Sequence, residues 1–123
     1  MNILIIENSE ILNERYKRLL SNINRIKILM DTNLNSKTFK YIKNQKIKVL
    51  VIAQNIDIKK NIKYITLLKK YNPKTIVIIL STKPFPQINK KYKESGVDFI
   101  LDKSTEFNKL PEVLQELKLE EAN

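Results

Sequence analysis

KVLVIAQN, residues 48–55, sets five consecutive apolar residues, Val49 to Ala53, between a lysine and a pair of amides. A strand with one wet face alternates apolar and polar residues. An unbroken apolar run is what a strand buried on both faces of a parallel sheet requires. Outward from this stretch, similar short runs rich in β-branched residues lie at Ile3 to Ile6, Ile26 to Met30, Ile76 to Leu80 and Phe99 to Leu101. Helical spacing fills the intervals. Ser9 is placed to cap a helix through about Ser21, with Ile11, Leu12, Tyr16, Leu19 and Leu20 on its apolar stripe. Ser36 is placed to cap a second helix to about Asn44. A third, Asn61 to Tyr71, puts Ile62, Ile65, Leu67 and Leu68 on one side and ends at Asn72-Pro73. Pro86 suits the first turn of a fourth helix to Ser95, with Gly96 as its C-terminal cap. The fifth is expected from about Glu106 to Leu119, burying Phe107, Leu110, Val113, Leu114 and Leu117.

Five strands alternating with five helices predict a doubly wound α/β domain spanning residues 1–123. The expected form is a flavodoxin-like (βα)5 three-layer sandwich with a parallel sheet of order 2-1-3-4-5. Sites in such folds form beyond the carboxyl ends of the strands, near the switch point between the first and third. That rule singles out Glu7, Asn8, Ala53, Gln54, Ser81, Thr82 and Lys103.

Composition removes most chemistry from consideration. The chain has no cysteine and no histidine, so thiol chemistry, histidine general-base catalysis and the commonest zinc ligand are all unavailable. With Gly96 as the sole glycine, neither a dinucleotide-binding turn nor a P-loop can be built. No apolar run approaches the roughly 18 residues of a membrane span, and no basic segment precedes the apolar start. A cytoplasmic, non-enzymatic protein with no cofactor is the expectation. Formal charge is +10 and uneven. Lys37 to Lys93 holds fifteen lysines and one acid, Asp57, whereas Glu94 to Asn123 holds three lysines and eight acids. The asymmetry suits an anionic partner, although enrichment in lysine, asparagine and isoleucine is also what a compositional bias leaves.

Taken in order, NILIIENSEIL (2–12), KVLVIAQN (48–55), TIVIILST (75–82) and GVDFILDKS (96–104) resemble the signature segments of bacterial response-regulator receiver domains. The resemblance covers nearly the whole chain, and GVDFILDKS carries most of its specificity. In that family an acidic pair and an acceptor aspartate hold a divalent cation, and a hydroxyl and a lysine bind the phosphoryl group. The resemblance aligns the acidic pair with Glu7 and Asn8, the acceptor with Ala53, the hydroxyl with Ser81 and the lysine with Lys103. A slip of one residue would bring Gln54 to the acceptor position, which is no better a nucleophile. Asp57 falls in the following loop. The aromatic switch position is Ile100, with Phe99 expected on the opposite face, and the residue after the lysine, commonly proline, is Ser104.

These departures imply an atypical receiver that signals through protein–protein contact without aspartate phosphorylation. Glu7 is then the only remnant metal ligand, and Lys103 is expected to pair with Glu7 or a nearby backbone carbonyl. The family's docking face, formed by the fourth helix, fifth strand and fifth helix, would present Lys90, Lys91 and Lys93 against Glu106, Glu112, Glu116 and Glu120. That charge pattern is compatible with a homodimer. Two other readings stay open: a basic nucleic-acid-binding domain, disfavoured because no helix-turn-helix or aromatic platform is evident, and a phosphorylatable receiver that uses another acid.

Overall fold

A computed structural model describes residues 1–53, 57–82 and 85–122, with side chains through residue 120. Gln54, the alternative acceptor, lies outside the described residues. Five strands, β1 (Asn2–Ile6), β2 (Lys27–Asp31), β3 (Ile47–Ile52), β4 (Ile76–Ser81) and β5 (Phe99–Asp102), form one sheet of order β2-β1-β3-β4-β5. Every pairing is parallel. The expected order is the observed one.

The apolar runs divide their residues between two cores. Ile3, Ile5, Val49 and Val51 point to one face, where they meet Tyr16 and Leu20 of α1 (Glu10–Leu20) and Leu110 and Leu114 of α5 (Lys109–Ala122). Leu4, Ile6, Leu50 and Ile52 point to the other, against α2 (Ser36–Asn44), α3 (Ile58–Tyr71) and α4 (Pro86–Ser95). A two-residue period with both phases apolar is the reason the strands read as continuous runs. Phe99 joins the first core and Ile100 the second, on opposite faces as expected.

Ser9 caps α1, its Oγ accepting from the Leu12 amide at 3.3 Å. Several boundaries differ from the sequence reading, each for a local reason. The cap of α2 is Asn35, not Ser36: its side chain accepts from the helix while Thr38 Oγ1 accepts from the Asn35 amide at 2.9 Å. Helix α3 begins at Ile58 because Asp57 caps it, accepting from the Lys60 amide at 3.1 Å. Helix α5 begins at Lys109, so Glu106 and Phe107 precede it. Asp102 holds that segment in a turn, its Oδ1 accepting from the Ser104 amide at 2.8 Å and the Ser104 hydroxyl at 2.6 Å. Those bonds, the hydroxyl's foremost, hold the Asp102 carboxyl below its ordinary pKa. Gly96 ends α4 at φ +112°, and a Cβ there would stand 2.7 Å from Lys69 Cγ. The lysine's stem passes this gap to reach Asp98 Oδ2 and the Thr75 carbonyl, each at 2.7 Å.

Candidate functional site

The parallel pairing delivers three backbone positions to the carboxyl edge of the sheet. The Glu7 amide donates to Asp31 O at 2.9 Å, the Ala53 amide to Ile6 O at 3.0 Å, and the Lys103 amide to Ser81 O at 2.8 Å. The residues just past β1, β3 and β5 are therefore fixed by the ladder itself, and the Lys103 side chain meets both the Glu7 side chain and the Ala53 backbone. Lys103 Nζ donates to Glu7 Oε1 at 2.6 Å and to the Ala53 carbonyl at 2.9 Å. Both expected partners of Lys103 are engaged together.

Glu7 is 4% exposed, so its carboxylate depends on the donors around it. There are four. Oε1 accepts from Lys103 and from the Tyr16 hydroxyl at 2.9 Å; Oε2 accepts from the amides of Asn8 at 3.1 Å and Ser9 at 3.4 Å. Burial and this hydrogen bond to a carboxylate both push the Tyr16 hydroxyl well above its ordinary pKa of 10.0, so it remains a donor at any physiological pH. Its ring stacks on Phe107 with centroids 5.4 Å apart, which fixes the hydroxyl's direction.

Tyr16 is the functional side chain that sequence reasoning placed only in an apolar stripe. A signal existed: a buried tyrosine needs a partner for its hydroxyl, and Glu7 ends the strand leading into its helix. Asn13 was missed as well. Its Nδ2 donates to the Glu7 carbonyl at 3.2 Å, while its buried Oδ1 has no hydrogen-bond partner among the described residues.

The other aligned residues contribute less. Asn8 is exposed and joins through its backbone amide, and Ser81 is half-buried and joins through its carbonyl. Thr82 is exposed. Ala53 is 4% exposed and presents only a methyl group and the carbonyl already held by Lys103. Asp57 is engaged as the cap of α3. Glu106 accepts from the Asp102 amide at 3.0 Å and from Lys109 Nζ at 2.9 Å, so it closes the loop and is not part of an acidic α5 face. Lys90, Lys91, Lys93, Glu112, Glu116 and Glu120 are all exposed.

A hard divalent cation requires several oxygen donors, usually carboxylates. Among the described residues no three potential metal-ligating side chains converge. Glu7 alone offers a carboxylate here, and both of its oxygens already accept hydrogen bonds. This donor set does not fit the cation that the aligned positions hold in receivers.

No family model matches the sequence, and no curated protein matches it either. Solved structures do match. The isolated REC domain of RcsB from Salmonella enterica serovar Typhimurium is similar with a TM-score of 0.80 at 19% identity, over 96% of this chain and 87% of that one. The chemotaxis protein CheY4 of Vibrio cholerae gives 0.77 at 14% identity, over 94% and 96%. A LuxR-family DNA-binding response regulator from Staphylococcus aureus gives 0.76 at 20% identity, again over 94% and 96%. Among the described residues no helix is long and apolar enough to cross a membrane. This chain has the fold shared by these receiver domains, five parallel strands in the order 2-1-3-4-5 with five helices.

Proposed function

We propose that the chain is an atypical receiver-type signalling domain of the cytoplasm that acts by docking to a protein partner and forms no aspartyl phosphate. One observation carries this reading: Lys103, aligned with the phosphate-binding lysine, is held by Glu7 at 2.6 Å and by the carbonyl of Ala53, which stands at the acceptor position. A methyl group cannot attack a phosphoryl donor. A phosphoryl group arriving at this edge would meet the buried Glu7 carboxylate and would have to draw Lys103 away from it. The pair therefore substitutes a permanent internal charge balance for a switchable one. The half-buried Ile100 at the switch position fits the same reading, because an aliphatic side chain has no ring to rotate inward. In this proposal the domain is not an enzyme and carries no cofactor.

Docking through the α4-β5-α5 face, including self-association, is supported by the exposure of Lys90, Lys91 and Lys93 on one helix and Glu112 and Glu116 on another. A two-fold arrangement would match each basic helix with an acidic one.

The test is incubation with magnesium and a small phosphodonor, followed by intact mass measurement. The expected result is an unmodified chain. A hydroxylamine-labile phosphoryl adduct would sink the proposal.

A further inference from the structure

At the opposite, amino-terminal edge of the sheet, three depressions run into one another. A cavity of about 410 Å³ between α2 and α3 shares Lys43, Tyr71 and Asn72 with one of about 440 Å³ below the starts of β3 and β4. The second shares Lys48 and Lys74 with a third of about 230 Å³ that reaches α5. Together they form a trough whose walls carry Lys40, Lys43, Lys46, Lys48 and Lys74, all exposed. Among the described residues that line it, the one carboxylate is Glu120, at the far end.

None of the five lysines takes part in an ion pair found among the described residues; those pairs use Lys17, Lys69, Lys103 and Lys109. The floor is apolar, with Ile42, Ile47 and Pro73, and Tyr71 stands 69% exposed beside it. Lys46 holds a left-handed backbone at φ +51°, a conformation glycine adopts more cheaply, and its side chain lines the trough.

We infer that this trough docks an acidic protein segment whose carboxylates meet the lysine walls and whose apolar side chains fill the floor. Charge complementarity fixes the sign of the occupant, and the floor requires apolar anchors between its acids. A second copy of this chain fits poorly. Its α5 offers Glu112, Glu116 and Glu120, but Leu110 and Leu114 of that helix are spent on its own core, which leaves Leu119 as a single exposed leucine for a floor that takes several anchors. A nucleic acid fits less well too. The walls are lysine without arginine, so they lack the planar forks that grip phosphates in pairs, and Tyr71 is the one exposed aromatic in the lining. The inference is independent of the carboxyl edge and would stand even if that edge were phosphorylated.

The experiment measures binding of the full chain to a labelled peptide of repeating Glu-Glu-Leu by fluorescence anisotropy. It is run near physiological ionic strength, where exposed charges are screened beyond about 8 Å. K43E/K46E/K74E is compared with K37E/K59E/K63E, a variant of equal charge change at exposed positions outside both the trough lining and the α4-β5-α5 face. Loss of affinity by about tenfold or more in the trough variant, with less than about twofold in the control, is expected. Replacing the peptide's leucines by serine should also weaken binding. Equal losses in the two variants would overturn the inference, as would indifference to the leucines, tighter binding of an oligothymidylate of matched charge, or no peptide binding at all.

Discussion

At the carboxyl edge of the sheet Lys103 meets Glu7 at 2.6 Å, and both side chains are largely buried; at the amino edge Lys43, Lys46, Lys48 and Lys74 stand exposed around an apolar floor. The two edges belong to the same strands, yet they handle charge in opposite ways. Burial makes an unpaired charge costly, so the carboxyl edge surrounds its one carboxylate with four donors. Exposure lets water solvate each ammonium, so the amino edge keeps its lysines unpaired at little cost to the fold. On the proposed reading the paired edge is closed to a further anion, whereas the unpaired edge accepts one.

The sharpest way to break this comparison is to remove one member of the buried pair. Glu7→Gln leaves the Lys103 ammonium beside a carbonyl and an amide, and a loss on the order of 3–5 kcal/mol in urea unfolding is expected. Lys103→Met should cost less, about 2 kcal/mol, because Glu7 keeps the Tyr16 hydroxyl and two backbone amides. A larger loss for Lys103→Met than for Glu7→Gln would mean that the four donors are not sharing the carboxylate as described.

Tyr16→Phe is a smaller perturbation, with an expected loss of about 1–2 kcal/mol. It also carries a pH signature. The Tyr16 and Tyr92 hydroxyls are both raised above their ordinary value, by burial first. A raised folded-state pKa means that the native chain keeps protons the unfolded chain releases. This stabilisation is full below pH about 10 and declines above it, by about 1.4 kcal/mol per pH unit for each tyrosine. Tyr16→Phe should make the alkaline slope shallower. An unchanged slope would show that Tyr16 ionises freely in the native state. Smallest of all, K43E/K46E/K74E should leave unfolding free energy within about 0.5 kcal/mol of the parent chain, as surface substitutions do. A large loss there would mean that those lysines hold structure.

Much of this was legible in the residues. The unbroken run Val49 to Ala53 implied a strand covered on both faces, and the alternation of five such runs with helical spacing implied a doubly wound parallel sheet, for which 2-1-3-4-5 was the expected order among a few. Glu7 and Lys103 were legible because each follows an apolar run that ends at the ligand edge of such folds. Tyr16 was not, since spacing in α1 reports which face is buried and says nothing of a hydroxyl's direction. The trough was illegible for another reason. Its lysines come from α2, the turn after it, β3 and the α3–β4 turn, which gather only once β3 and β4 pair. In the sequence they read as lysines dispersed over several helices.

Lys103 is committed to Glu7 and Ala53 on the proposed reading, so the most direct measurement is the amide spectrum of the isotope-labelled chain titrated with magnesium and beryllofluoride. The prediction is that resonances of Glu7, Ala53, Ser81 and Lys103 stay where they are throughout. Saturable shifts at those four positions, spreading to Ile100, would contradict it.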